Sequence, residues 1–243
     1  MLLVLDVSES MSRDDVTPTR MQAAKDAASV FLEEAPEDLT IGLVSFGGRA
    51  DVLAAPTTDR GTVEDALVGL PRSEGTVIGD GLDTAVQQIQ DRWLDDGKGP
   101  AAIVLLSDGR DTGSTVQPLV AAEAAARLDI PVYTVVLGQG EEGSGGANDT
   151  LLADIARTTE AETYTATTAS GLIEVYREIQ DQLVTALEIT NVGAFFVTAA
   201  FGLALAATVA LLYALRAEVT GATVGPRPKR VQRDRPIRVK KKV

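Results

Sequence analysis

The feature that most constrains this chain is an alternation of short apolar runs with stretches whose apolar residues recur at helical spacing. MLLVL (1–5), LTIGLVSF (39–46), AAIVLLS (101–107) and PVYTVVL (131–137) read as strands, and three of the four are apolar without strict alternation. That is the pattern of parallel strands covered on both faces. ADVLAA (50–55) follows close behind the second run and reads as an antiparallel edge strand. After the first run, Thr17 and Pro18 read as an N-cap and a proline at the first helical position, and Met21, Ala24, Ala28 and Phe31 then recur at helical spacing. Residues 59–68, 77–94, 116–128, 150–157 and 170–187 read as further helices, with Asn148 or Asp149 as cap of the fourth. Strands alternating with helices predict an α/β fold, a doubly wound, mostly parallel sheet with helices on both faces.

A different segment follows. Ala194–Leu215 is a run of uncharged residues about 33 Å long as a helix, against a hydrocarbon core of ~30 Å. It is apolar on every side, which predicts a transmembrane helix rather than a core helix. Phe195, Phe196 and Tyr213 suit the two interfaces, and Gly202, Ala206 and Ala210 form a small-residue stripe. The organisation expected is a domain at 1–188, a juxtamembrane linker at 189–193, the span at 194–215 and a basic, disordered tail at 216–243.

Charge divides along the same line. Residues 216–243 hold ten Lys or Arg against two acids, a net +8, whereas residues 1–215 hold 12 basic and 33 acidic residues, a net −21. A basic flank beside a span reads as cytoplasmic, which puts the domain outside the cell in a single-pass arrangement. An acidic body argues against nucleic acid as a partner. The first strand is already under way at Met1, so an upstream segment carrying an export signal or membrane helices is expected.

There is no cysteine and no histidine. That removes disulfides, thiol nucleophiles, imidazole proton shuttles and sulfur or nitrogen metal sites. Any metal must be held by oxygen. In an open parallel sheet, ligands bind beyond the carboxyl ends of the strands at the topological switch point. Three strand-to-helix connections carry polar clusters suited to that place: Asp6, Ser8 and Ser10 after the first run, SEGTVIGDG (73–81) with Thr76, and Ser107-Asp108-Gly109 after the third run. Hydroxyls and carboxylates together suit a hard divalent cation, Mg²⁺ before Ca²⁺ or Mn²⁺.

LVLDVSESM, EGTVIGDGL and IVLLSDGRDT resemble the three pieces of the metal-ion-dependent adhesion site of von Willebrand factor type A domains, and the similarity covers roughly residues 1–187. The resemblance implies a Rossmann-like fold with Ser8, Ser10 and Thr76 as direct metal ligands. It implies Asp6 and Asp108 as direct or water-mediated partners. DVTPTRMQAAKDAA, IGLVSFGG, APTTDR and PVYTVVLG are similar, more specifically, to bacterial membrane-anchored members such as the Bat aerotolerance proteins. Those relatives imply MoxR-type ATPases or other membrane members of the family as partners. Two departures add acid near the site: Glu74 stands where the family commonly has glycine, and Glu9 lies between the serines. With Asp111 they are expected to line its rim.

The function expected is a non-enzymatic, membrane-anchored binding module that captures a carboxylate of a partner protein through the metal. The alternatives are a cytoplasm-facing subunit working with a MoxR-type ATPase, and a metal-dependent hydrolase, against which stands the lack of any general base beyond the acids given to the metal. Gly138 to Gly143 match a dinucleotide-binding glycine pattern, but the glycines run on into a loop rather than opening a helix, which predicts a surface loop.

Overall fold

The computed structural model describes residues 1–97, 99–108, 110–138, 147–180 and 182. The linker, span and tail expected at 189–243, and the glycine loop beyond Gly138, lie outside the described residues. Among the described residues no helix is long and apolar enough to cross a membrane.

The strands are β1 (Leu2–Asp6), β2 (Ile41–Phe46), β3 (Ala50–Thr57), β4 (Ile103–Ser107), β5 (Val132–Leu137) and β6 (Thr163–Ala166). They form one sheet in the order β3-β2-β1-β4-β5-β6. Only the β2–β3 pair is antiparallel, and β3 lies at the edge as its sequence predicts. The helices are α1 (Arg20–Glu34), α2 (Arg60–Val68), α3 (Ile78–Asp96), α4 (Pro118–Ala126) and α5 (Ala147–Thr158), with residues 169–180 also helical.

Successive strand residues point to opposite faces, and the core divides accordingly. Leu3 and Leu5 of β1, with Val104 and Leu106 of β4, pack against Ala23, Ala27 and Phe31 of α1, Leu67 of α2 and Tyr176. Leu2 and Val4, with Ile103 and Leu105, pack against Leu82 and Val86 of α3, Ala125 of α4 and Ile155 of α5. Trp93, on α3, packs at the margin of this second face, as a lone core-side tryptophan should. The architecture is therefore helix, sheet, helix, and every residue of β1, β2 and β4 is buried.

Three local readings are corrected. The cap of α1 is Thr19, whose side chain accepts from the Gln22 N–H at 3.1 Å, so Thr17 and Pro18 precede the helix. Asn148 and Asp149 fall inside the first turn of α5, not ahead of it. β6, which no apolar run announces, adds a further parallel strand beside β5.

Candidate metal centre

Asp6 ends β1 and Ser107 ends β4, two adjacent parallel strands whose chains leave in opposite directions, β1 toward β2 and β4 toward β5. This is the switch point of the sheet. Asp6 is fully buried. Its Oδ2 accepts from the Ser107 hydroxyl at 2.6 Å and its Oδ1 from the Ser8 N–H at 2.8 Å. Burial pushes its carboxyl up to about 6, partly offset by the hydrogen bonds from Ser107 and Ser8.

The polar chain continues outward. Ser8 and Ser10 hydroxyl oxygens are 2.9 Å apart, and the Ser10 hydroxyl donates to Asp108 Oδ1 at 2.7 Å. A hydroxyl has a single proton, and that of Ser10 is committed to Asp108. Ser8 is therefore the donor of the Ser8–Ser10 bond, and both serines keep lone pairs for another partner. A 3-10 turn, Glu9–Ser12, buries Met11 and so fixes the loop that carries the serines.

Thr76 lies apart in hydrogen bonding, making no such bond to the other four candidates, but it is buried in a loop fastened to the same edge. Ser73 N–H donates to Val7 O at 3.0 Å and Val77 N–H to Gly47 O at 2.9 Å. Thr76 itself exchanges bonds with Thr112: its N–H donates to Thr112 Oγ1 at 2.9 Å, and its carbonyl accepts from the Thr112 N–H at 2.8 Å. Thr112 follows Asp108 on the loop after β4, so one loop supports both residues.

That loop also caps α3. Val77 offers no side-chain cap, and Asp111 takes its place by accepting from Ile78 N–H at 3.0 Å. Ser114 Oγ accepts from Gly79 N–H at 2.9 Å, and Asp80 returns the favour by accepting from Thr115 and Val116 N–H at 3.1 and 2.8 Å. The approach demands glycine at 79, since a Cβ there would sit 1.9 Å from Val116 O. Asp111 is thus a capping residue rather than a rim carboxylate, while Glu9 and Glu74 are exposed as expected.

Sequence reasoning missed Arg20 and its partner Asp15. Arg20 is 4% exposed. Its Nε and Nη2 donate to the two oxygens of Asp15 at 2.7 and 2.6 Å, and its Nη1 donates to Asp108 Oδ2. The signal was available, because Arg20 falls four residues before Ala24 on the apolar stripe of α1. A charge on such a stripe needs a buried partner.

Three of the five candidate residues have oxygens spaced as a hard divalent cation requires. Neighbouring oxygens around an octahedral ion with bonds of ~2.1 Å lie ~3 Å apart, and the Ser8–Ser10 and Ser10–Asp108 oxygens are 2.9 and 2.7 Å apart. Among the described residues no group of three or more carboxylates is placed to hold an ion, so the hydroxyls are an essential part of the set.

Comparisons with known proteins agree with this architecture. Residues 1–110 match the family model of the von Willebrand factor type A domain. The UPF0353 protein of Mycobacterium sp. (strain KMS) is 33% identical over 199 residues, a match covering 75% of this chain and 59% of that protein. The chain thus spans about three fifths of the length of that relative. The crystal structure of an aerotolerance-related membrane protein from Bacteroides fragilis NCTC 9343 superposes with a TM-score of 0.63 at 20% identity, covering 76% of this chain and 98% of that one. Proximal thread matrix protein 1 of the mussel byssus, solved with a zinc-occupied MIDAS motif, has the same fold: TM-score 0.57 at 18% identity, over 74% of this chain and 44% of that protein. The sheet order and the superpositions lead to one conclusion: the described domain has the von Willebrand factor type A fold, and its residues 1–110 match that family's model.

Proposed function

We propose that this chain is a metal-dependent protein-binding module, tethered to a membrane, that captures an acidic side chain of a partner protein. The observation carrying the reading is the run of oxygens from Asp6 through Ser8 and Ser10 to Asp108 at the sheet's switch point, with lone pairs of both serines uncommitted. Ser8, Ser10 and Thr76 would hold the ion directly, with Asp6 and Asp108 completing the shell directly or through water. When bound, Mg²⁺ or a similar cation supplies a positive charge that neutral hydroxyls compensate only in part, which a partner's carboxylate can complete. Asp6 fixes the serine loop through the Ser8 N–H, and Asp108 orients Ser10 by taking its proton. The mussel protein with its zinc-occupied motif supports a metal on this fold without indicating which metal.

The residue inventory supports binding rather than hydrolysis. With no histidine or cysteine in the chain, the carboxylates within the site, Asp6 and Asp108, are already engaged with Ser8, Ser107, Ser10 and Arg20, which disfavours them as a general base. Membrane tethering rests on the uncharged run 194–215, and the +8 flank behind it favours the domain outside the cell and the tail inside.

The test is affinity capture from membranes by the 243-residue chain in Mg²⁺ or EDTA. A protein partner is expected to be retained in Mg²⁺, released by EDTA, and lost with Thr76→Ala while the melting temperature in EDTA stays near that of the wild type. Equal retention in EDTA, or by the Thr76→Ala chain, would mean that another surface does the binding.

A further inference from the structure

Arg20 is a buried cation with no place in the donor set, yet it touches that set directly. Its guanidinium uses one edge for a two-point grip on Asp15 and its remaining amino group for Asp108 Oδ2. The Asp108 side chain is 0% exposed and that of Asp15 30%. The seat is built to measure. Gly138, at the end of β5, has φ +110° and presents bare backbone to the arginine, where a Cβ would fall 2.5 Å from Nη2 and 2.6 Å from Nε. Arg20 N–H also donates to Arg13 O at 2.9 Å, which ties the start of α1 to the serine loop's exit. One side chain therefore meets the loop after β1, the loop after β4 and the end of β5.

We propose that Arg20 is a resident cation of the metal site: a positioning residue that holds Asp108 toward Ser10 and neutralises that buried carboxylate, so that the fold stands without a divalent ion, and that in doing so weakens the ion's hold. The inference rests on the metal-binding reading above. Asp108 divides its two oxygens between a guanidinium on one side and Ser10 on the other. Without the guanidinium, buried Asp108 would lose the cation it is paired with, a costly arrangement. A divalent ion arriving at the serines would then be attracted by that carboxylate. With the guanidinium present, the ion meets a site already partly compensated. Lysine does not replace it, because a point charge cannot grip Asp15 at two points and reach Asp108 as well.

The test is Mg²⁺ titration calorimetry together with thermal melting in Mg²⁺ or EDTA, on the purified 243-residue chain in detergent. Arg20→Met should melt below wild type in EDTA, regain more on adding Mg²⁺ than wild type does, and bind Mg²⁺ on the order of tenfold more tightly, the scale expected for removing a unit charge near a divalent ion. Asp15→Asn, which leaves the guanidinium less compensated, should bind Mg²⁺ more weakly than wild type. These opposite signs are what a purely structural role would not produce. Equal losses of melting temperature in Mg²⁺ and EDTA for Arg20→Met would overturn the inference, as would unchanged or tighter Mg²⁺ binding by Asp15→Asn. If Arg20→Met folds in neither buffer, the sign of the Asp15→Asn change decides. A wild-type chain that gains nothing from Mg²⁺ would bring down the metal-binding reading itself; a wild-type gain not enlarged in Arg20→Met removes only the role given to Arg20.

Discussion

Asp6 shows how much one side chain does at this sheet edge. It is fully buried, yet it is a carboxylate held by one hydroxyl and one N–H. Ser107→Ala removes that hydroxyl and leaves a buried oxygen short of its donor, so a loss of about 1–3 kcal/mol is expected from denaturant midpoints measured without metal. The serines have a second value, in what they offer a ligand. Ser8→Ala combined with Ser10→Ala takes the Ser10 donor from buried Asp108, a loss of the same order in EDTA, and should in addition abolish the metal-dependent gain, which linkage puts at about 2.7 kcal/mol when Mg²⁺ is present at 100 times its dissociation constant. Calorimetric melts of both chains with and without Mg²⁺ decide the matter, and a double variant that keeps the full gain would refute the assignment of the serines.

Among the elements, α3 depends on a loop distant in sequence for its first turn. Gly79→Ala sets two effects against each other: alanine favours the helix by at most about 1 kcal/mol, while a methyl driven into a backbone carbonyl costs about 1–3 kcal/mol as overpacking. The contact at 1.9 Å involves Val116 O, which cannot rotate away as a side chain could. The chain is therefore expected to lose stability and, because the displaced loop carries Asp108 and Thr112, to bind Mg²⁺ more weakly; unchanged denaturant midpoints would show that the loop yields freely. The same element explains what the sequence made legible. β1, β2, β4 and β5 are predominantly apolar runs and announce themselves, as does the edge position of β3. β6 is TYTA, four residues with only Ala166 buried, so nothing in its hydrophobicity marks it. Asp6, Ser8, Ser10, Thr76 and Asp108 were singled out as polar residues beyond strand ends and by the resemblance to the adhesion site, but the engagement of Asp111 with Ile78 and of Arg20 with Asp108 joins residues 33 and 88 positions apart. Pairings of that range leave no local periodicity to read.

For the whole molecule, sidedness has a direct test. Protease added to intact cells or spheroplasts should remove the domain and spare the basic tail if the +8 flank sets the orientation; a protected domain would place it on the cytoplasmic side. The order of the sheet has a consequence for how the chain is made. β1 is central, hydrogen-bonded to β2 on one side and to β4 on the other, with Leu2 opposite Ile103. At ~5–20 residues per second, the ribosome needs on the order of 5–20 s to synthesise the intervening ~100 residues. Throughout that interval this wholly buried strand has one edge and part of both faces without a partner. That edge must stay shielded until β4 is available, and commitment to the native sheet cannot come before β4 pairs with it.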